Sequence, residues 1–184
     1  MAHIDIPSNF PGIMGLMKYR PDTGKLLLEL SETLLRGESP LLLEERELIA
    51  AYVSQRNECN FCAGVHGAVA KQLFKNKSNV VDTIYQNLES ASITDKLKAL
   101  LKIAAKVRLD GKQVSEDDIQ QAKNLGATDR EIHDTVLIAA AFCMFNRYVD
   151  GLATTTPKES GAYEQMACHI VESGYAGSKE LLFG

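Results

Sequence analysis

Residues 45–66 read Glu45-Arg46-Glu47-Leu48-Ile49-Ala50-Ala51-Tyr52-Val53-Ser54-Gln55-Arg56-Asn57-Glu58-Cys59-Asn60-Phe61-Cys62-Ala63-Gly64-Val65-His66. Glu47 stands fifteen residues ahead of Cys62. On one straight helix the two would lie roughly 22 Å apart. They meet only if the chain turns back between them, and Asn57, a residue type favoured at helix N-caps, occupies that interval. The spacing therefore predicts a helix hairpin. Its first helix runs from about Leu43 to Arg56, with Leu48, Ile49, Tyr52 and Val53 on the apolar face. Its second runs from about Cys59 to Lys75, with Val65, Val69 and Leu73 apolar, Asn57 as its cap and the CxxC pair at its start. At about 100° per residue, Cys59, Cys62 and His66 fall within roughly 60° of one another.

Outward from this hairpin the periodicity stays helical. Leu26, Leu27, Leu30, Leu34 and Leu35 form a stripe from near Asp22, stopped by Gly37. A weaker helix covers roughly Asn79 to Asn87. From Thr94, the residues Leu97, Leu100, Leu101, Ala104 and Val107 keep the i, i+3, i+4, i+7 spacing. Ser115-Glu116-Asp117-Asp118 and Thr128-Asp129-Arg130-Glu131 are capping signals. The helix opened by Thr128 is apolar on most faces from Val136 to Phe145, which predicts a central position. A last helix is expected from Pro157, with Tyr163, Met166 and Ile170 apolar. Residues 1–21, with Pro7, Pro11 and Pro21, read as an extended segment, 22–175 as one helical domain and 176–184 as a tail. The expected class is all-α. Arg46-Glu47-Leu48 recurs as Arg130-Glu131-Ile132 at an offset of 84 residues, placing Cys59 on Cys143 and His66 on Asp150. Such an echo would reflect either two hairpin halves or shared helix composition.

Composition narrows the function classes. The chain has 184 residues, 45% hydrophobic and 24% charged, with a net charge of -4. It is long enough to bury a core without staples. It has no basic stripe for nucleic acid, and its longest apolar run, Val136 to Phe145, is too short to span a bilayer. The start lacks the basic and apolar regions of a secretory signal. The expected compartment is cytoplasmic, where thiols stay reduced and a close cysteine pair serves metal or redox chemistry. Four cysteines, Cys59, Cys62, Cys143 and Cys168, do not make a disulfide scaffold.

A histidine at i, i+4 from Cys62 can reach its sulfur and deprotonate it, and the thiolate is the nucleophile. If Cys59 sits in the first helical turn, the helix dipole favours charge on that sulfur instead. The specific base outweighs the partial charge, which makes Cys62 the expected reactive thiol. Glu47 brought opposite His66 would orient the imidazole and raise its basicity. Two other uses share these residues: a zinc site from Cys59, Cys62 and His66 with Glu47 or water fourth, and a redox sensor without turnover. A thioredoxin-like pair would sit between a strand and a helix, and no strand surrounds this one. His3, His133 and His169 read as surface or tail positions and Cys143 as a small buried hydrophobe. Cys168 reads as exposed, and Arg147 and Asp150 as a structural pair. The run Gly12, Ile13, Met14, Leu16 and Met17 reads as non-helical chain packed over the site or a neighbouring subunit.

The pattern Glu-x11-Cys-x2-Cys-x3-His, with Asn57 two residues before the first cysteine, resembles the AhpD-like alkylhydroperoxidases of the carboxymuconolactone decarboxylase family, peroxidase-related branch. Gly15-Leu16-Met17-Lys18-Tyr19-Arg20-Pro21, Tyr52-Val53-Ser54, and Asn146-Arg147-Tyr148-Val149-Asp150 extend the likeness. It implies an all-helical, single-domain fold and a homo-oligomer, a trimer or hexamer. It also implies a peroxidase without metal or organic cofactor. In that cycle Cys62 attacks peroxide and becomes a sulfenic acid, Cys59 resolves it as a disulfide, and His66 backed by Glu47 relays the proton. The reductant would be a dithiol carrier of unknown identity. Phe61 departs from the His or Tyr of many relatives. Members that decarboxylate the lactone lack the cysteine pair, so its presence points to redox chemistry.

Overall fold

The computed structural model describes residues 2–7 and 9–184, apart from the side chains of Asn76 and Ser160. Among the described residues there are ten α-helices and no strand: α1 (Ile13–Tyr19), α2 (Pro21–Arg36), α3 (Leu43–Arg56), α4 (Asn60–Phe74), α5 (Asn79–Gln86), α6 (Asp95–Leu109), α7 (Glu116–Asn124), α8 (Asp129–Gly151), α9 (Ser160–Ser173) and α10 (Lys179–Phe183). The all-α expectation holds. Among the described residues no helix is long and apolar enough to cross a membrane.

The centre is α3, in which every residue from Arg46 to Ser54 is buried. One side of it packs on α4, which in turn packs on α9. Another side packs on α6 and α8. α1, α2 and α10 contact one another. A helix buried on all sides must pair its charged groups. Arg46 does so by donating to the backbone carbonyls of Leu34 (3.2 Å) and Gly37 (2.8 Å) at the end of α2. The capping signals are realised. Thr128 Oγ1 accepts from the Glu131 N–H at 3.2 Å, and the Glu131 carboxylate accepts from the Thr128 N–H at 2.7 Å. Ser115 and Asp118 make the same reciprocal pair.

The hairpin forms where expected, but its turn is built differently. Asn57 closes α3 in a right-handed conformation rather than capping α4. Glu58 follows at φ 61°. The Cys59 N–H bonds to Ser54 O (3.0 Å) and the Glu58 N–H to Gln55 O (3.0 Å), the pairing of a Schellman turn. Cys59 is thereby the N-cap residue of α4, with φ -79° and ψ 92°, one step outside the helix. The Asn57 amide is engaged elsewhere, donating to Asn146 Oδ1 at 2.9 Å.

Both chain ends depart from the expected loop and tail. Residues 13–19 form α1, and Pro21 begins α2. Proline there breaks nothing, because the first helical N–H has no partner to lose. The C-terminal residues form a 3-10 turn, Ala176–Ser178, and then α10, whose Leu182 is buried. That helix is too short for its periodicity to show in the sequence. The last long helix starts at Ser160, not Pro157. The echo at offset 84 is not a structural repeat: 46–67 is helix, turn and helix, whereas 130–151 is one continuous helix.

Glu58 is exposed and holds a left-handed conformation that costs an L-residue about 1 kcal/mol, while glycine adopts it freely. Glu58→Gly is expected to raise unfolding free energy by up to about 1 kcal/mol in urea melts. Unchanged or lower stability would show that the Schellman turn is not strained.

Candidate active site

Glu47 sits on the buried core helix α3 with no solvent exposure. A carboxylate in that position must be satisfied on every side. Its Oε1 receives Arg36 Nη1 at 2.7 Å and the Tyr175 hydroxyl at 2.7 Å. Its Oε2 receives His66 Nδ1 at 2.8 Å. Burial alone would push this carboxyl up. The hydrogen bond and charge of His66, the Arg36 charge and the Tyr175 hydroxyl outweigh it and hold the group below the usual carboxylate range. Glu47 is therefore ionised and can only accept. His66 therefore directs its Nδ1–H at the carboxylate, and whenever the imidazole is neutral Nε2 carries the free lone pair. The imidazole is further held edge-on by Phe142, with ring centroids 4.6 Å apart.

His66 and Cys62 lie one turn apart on α4, and both line one cavity of about 300 Å³. Its wall is otherwise almost wholly apolar. α1 contributes Ile13, Met14 and Met17, and α8 contributes Phe142 and Phe145. Among the described residues no Lys, Arg, Asp or Glu lines it. The segment read as non-helical and packed over the site does cover it, but as a helix. Phe61 also lines the cavity, and it fixes the entry of α1. A Cβ on Gly12, which has φ +57°, would fall 2.2 Å from the Phe61 ring. The aromatic between the cysteines thus replaces a polar partner with a packing surface.

Cys59 does not share the cavity wall. It is fully buried at the mouth of α4, against Cys62 and near Asp150 on α8. The Cys62 thiol hydrogen-bonds to it and lowers its pKa, aided by the Cys62 backbone N–H and opposed by burial. The same shared proton, burial and the Cys59 charge push Cys62 well up. In the resting dithiol the charge therefore belongs on Cys59, as the helix-terminus argument expects and the His66 spacing does not. No direct hydrogen bond joins His66 to Cys62 among the described residues.

Four expected residues thus come together: Glu47, His66 and Cys62 in one connected site, and Cys59 behind it. Among the described residues no group of three or more His, Cys, Asp or Glu is placed to hold a metal ion. Arg36 and Tyr175 were not flagged by the sequence. They lie far from the motif along the chain and carry no local pattern. His169 is exposed, yet it lines the cavity. His133 pairs with Asp134 at 2.9 Å. Cys143 is half-buried and accepts from Asn57 at 3.7 Å, and Cys168 is exposed. Arg147 donates to the Cys143 carbonyl, and no ion pair with Asp150 forms.

Residues 21–106 match the carboxymuconolactone decarboxylase family. The fold is similar to that of an alkylhydroperoxidase AhpD core, an uncharacterized peroxidase-related protein from Ralstonia eutropha JMP134. The TM-score is 0.76 at 26% identity, covering 85% of this chain and 80% of that one. An uncharacterized peroxidase-related protein from Silicibacter sp. TM1040 superposes with a TM-score of 0.78 at 23% identity, covering 89% and 94%. No curated protein sequence matches the chain.

Removing the Glu47 charge leaves Arg36, whose side chain is only 11% exposed, without its counterion. Glu47→Gln is expected to destabilise the fold by roughly 3 kcal/mol at neutral pH. Because the folded pKa is depressed, this contribution is fully present above the unfolded value of about 4.3 and is lost as pH falls through the folded one. Urea melts of both proteins should converge as pH drops below about 4. A constant gap would show that the charge is not the source.

Proposed function

With the chain an AhpD-like member of the carboxymuconolactone decarboxylase family, we propose that it is a thiol-dependent peroxidase working through a Cys59/Cys62 dithiol–disulfide cycle. One observation carries the reading: Cys62 and His66 face the same apolar cavity, and a buried, ionised Glu47 backs the imidazole.

Cys62 is the attacking sulfur because it is the one the cavity reaches. Its thiol proton passes through His66 Nε2, directly or by water, to the leaving alkoxide as sulfur displaces it. The O–O bond breaks, an S–O bond forms, and the products are Cys62 sulfenic acid and an alcohol. Cys59, already the more acidic thiol, then attacks Cys62 sulfur and releases water, leaving a disulfide. A dithiol donor reduces that disulfide by exchange. The lining favours an organic hydroperoxide with a hydrocarbon body over hydrogen peroxide. Decarboxylation of a lactone acid fits less well, since among the described residues the cavity wall offers no Lys or Arg for a carboxylate. The homo-oligomer, the cytoplasmic setting and the dithiol carrier belong to the same proposal. Leu137 and Met144 on the outer face of α8 are exposed apolar side chains available to a second copy.

The test is mass spectrometry of reduced protein after about one equivalent of an organic hydroperoxide. Wild type should gain a Cys59–Cys62 disulfide. Cys59→Ser should trap sulfenic acid on Cys62, detectable with dimedone, and Cys62→Ser should not consume peroxide. Trapping on Cys59 in the Cys62→Ser variant would reverse the roles. Unreacted wild-type thiols would end the peroxidase reading. Sustained turnover with a dithiol separates an enzyme from a redox sensor, which reacts once.

A further inference from the structure

The relay of His66 and Glu47 has a third member from the far end of the chain. At Gly174 the backbone turns into the left-handed region, φ +66°, and ends α9. The Glu32 carboxylate on α2 then accepts the N–H groups of Tyr175 (2.7 Å) and Ala176 (3.0 Å). This seats Tyr175 with its ring under the Arg36 guanidinium, 5.1 Å from ring centroid to Cζ, and alongside the His66 ring at 5.8 Å. Its hydroxyl bonds to Glu47 Oε1 at 2.7 Å and lies 3.0 Å from His66 Nδ1. Tyr175 is buried. Burial and the Glu47 charge hold its phenol well above its ordinary pKa, so the hydroxyl stays protonated. One proton and two lone pairs settle the direction of both bonds. The hydroxyl donates to Glu47 and accepts a share of the His66 Nδ1–H.

We propose that Tyr175 is a positioning residue of this site, acting through Glu47 and His66, and that docking of the C-terminal segment onto α2 completes the proton relay and closes the cavity in one step. The second effect follows from the same segment, since Tyr175, Ser178, Leu181 and Leu182 all line the cavity that Cys62 faces. The mechanistic part of the proposal rests on the peroxidase reading; the coupling of Tyr175 to His66 does not.

The charged and titratable groups around the imidazole are few: Glu47 on α3, Arg36 and Glu32 on α2, Cys62 and Cys59 on α4, His169 on α9 and Tyr175 itself. Removing the hydroxyl takes a charge-assisted donor from Glu47 and a shared, neutral acceptor from His66. The first bond is whole and short, 2.7 Å, whereas the second, 3.0 Å, is only a share of a proton that Glu47 Oε2 receives at 2.8 Å, so the first loss dominates. Glu47 then binds the imidazolium more tightly, and the His66 titration moves to higher pH.

Tyr175→Phe keeps the ring and deletes only the hydroxyl. The His66 Cε1–H resonance, followed by NMR through the imidazole range, is expected to titrate about half a pH unit higher or more in the variant, a roughly threefold gain in proton affinity. The acid limb of hydroperoxide-driven Cys62 oxidation should move with it, while its dependence on hydroperoxide concentration stays the same. Gly174→Ala is the second variant. Its Cβ would lie 2.8 Å from Glu32 Oε2 in a backbone conformation that alanine disfavours, so it should reproduce the shift by unseating Tyr175. An unmoved His66 midpoint in Tyr175→Phe overturns the proposal. A midpoint that moves in Tyr175→Phe but not in Gly174→Ala overturns the docking part. A shifted midpoint in a protein whose thiols ignore hydroperoxide supports the coupling and overturns the peroxidase reading instead.

Discussion

A carboxylate placed in the middle of a fully buried helix has to be surrounded by donors or it will not stay charged. Glu47 is in that position, and its partners come from three other parts of the chain: Arg36 from α2, His66 from α4 and Tyr175 from beyond α9. One ion therefore ties together the core helix, the helix carrying the cysteines and the C-terminal segment. It also decides the chemistry of the imidazole. An acceptor-only carboxylate on Nδ1 leaves the lone pair of the neutral imidazole on Nε2, and a neutral Glu47 would leave the tautomer open. Electrostatics and fold are one arrangement here, because the helices that satisfy the charge are the same helices that enclose the cavity.

The two sulfurs sit in different surroundings despite being three residues apart. Cys59 caps α4 at a buried turn and draws the negative charge. Cys62, inside the first turn, keeps the proton and faces the cavity. This separates readiness from access. The more acidic thiol is walled off, and the accessible thiol needs a base. A peroxidase cycle would use both properties in sequence: a cavity-facing sulfur takes the oxygen, and a more acidic neighbour displaces it as water. The Schellman turn at Asn57–Cys59 produces the division, since it moves Cys59 off the helix while leaving Cys62 on it.

The cavity depends on elements at both ends of the chain. α1 lies over Phe61 because Gly12 leaves no Cβ in the way, and α10 lies against α1 and α2. These short helices have few residues of their own to bury, and isolated helices of their length would not persist in water. They are stable here because they cover apolar surface that the hairpin exposes. In return, they line the cavity that Cys62 and His66 face.

Local rules made much of this legible in advance. Helical periodicity, the capping signals at Ser115 and Thr128, and the impossibility of bringing Glu47 to Cys62 along a straight helix led to an all-α fold with the hairpin in place. The i, i+4 spacing put His66 one turn from Cys62 because side-chain reach along a helix is a local property. What stayed hidden was non-local. Arg36 and Tyr175 carry no motif, and their roles exist only because burial of Glu47 draws donors from distant segments. The step that takes Cys59 just off the helix was equally out of reach, since it turns on a single left-handed residue, Glu58, that no propensity favours. Residues 1–21 and 176–184 look like loop and tail because their helices are too short to show a period. Tertiary contact, by burying one face of each, decided that they are helices and placed them over the site.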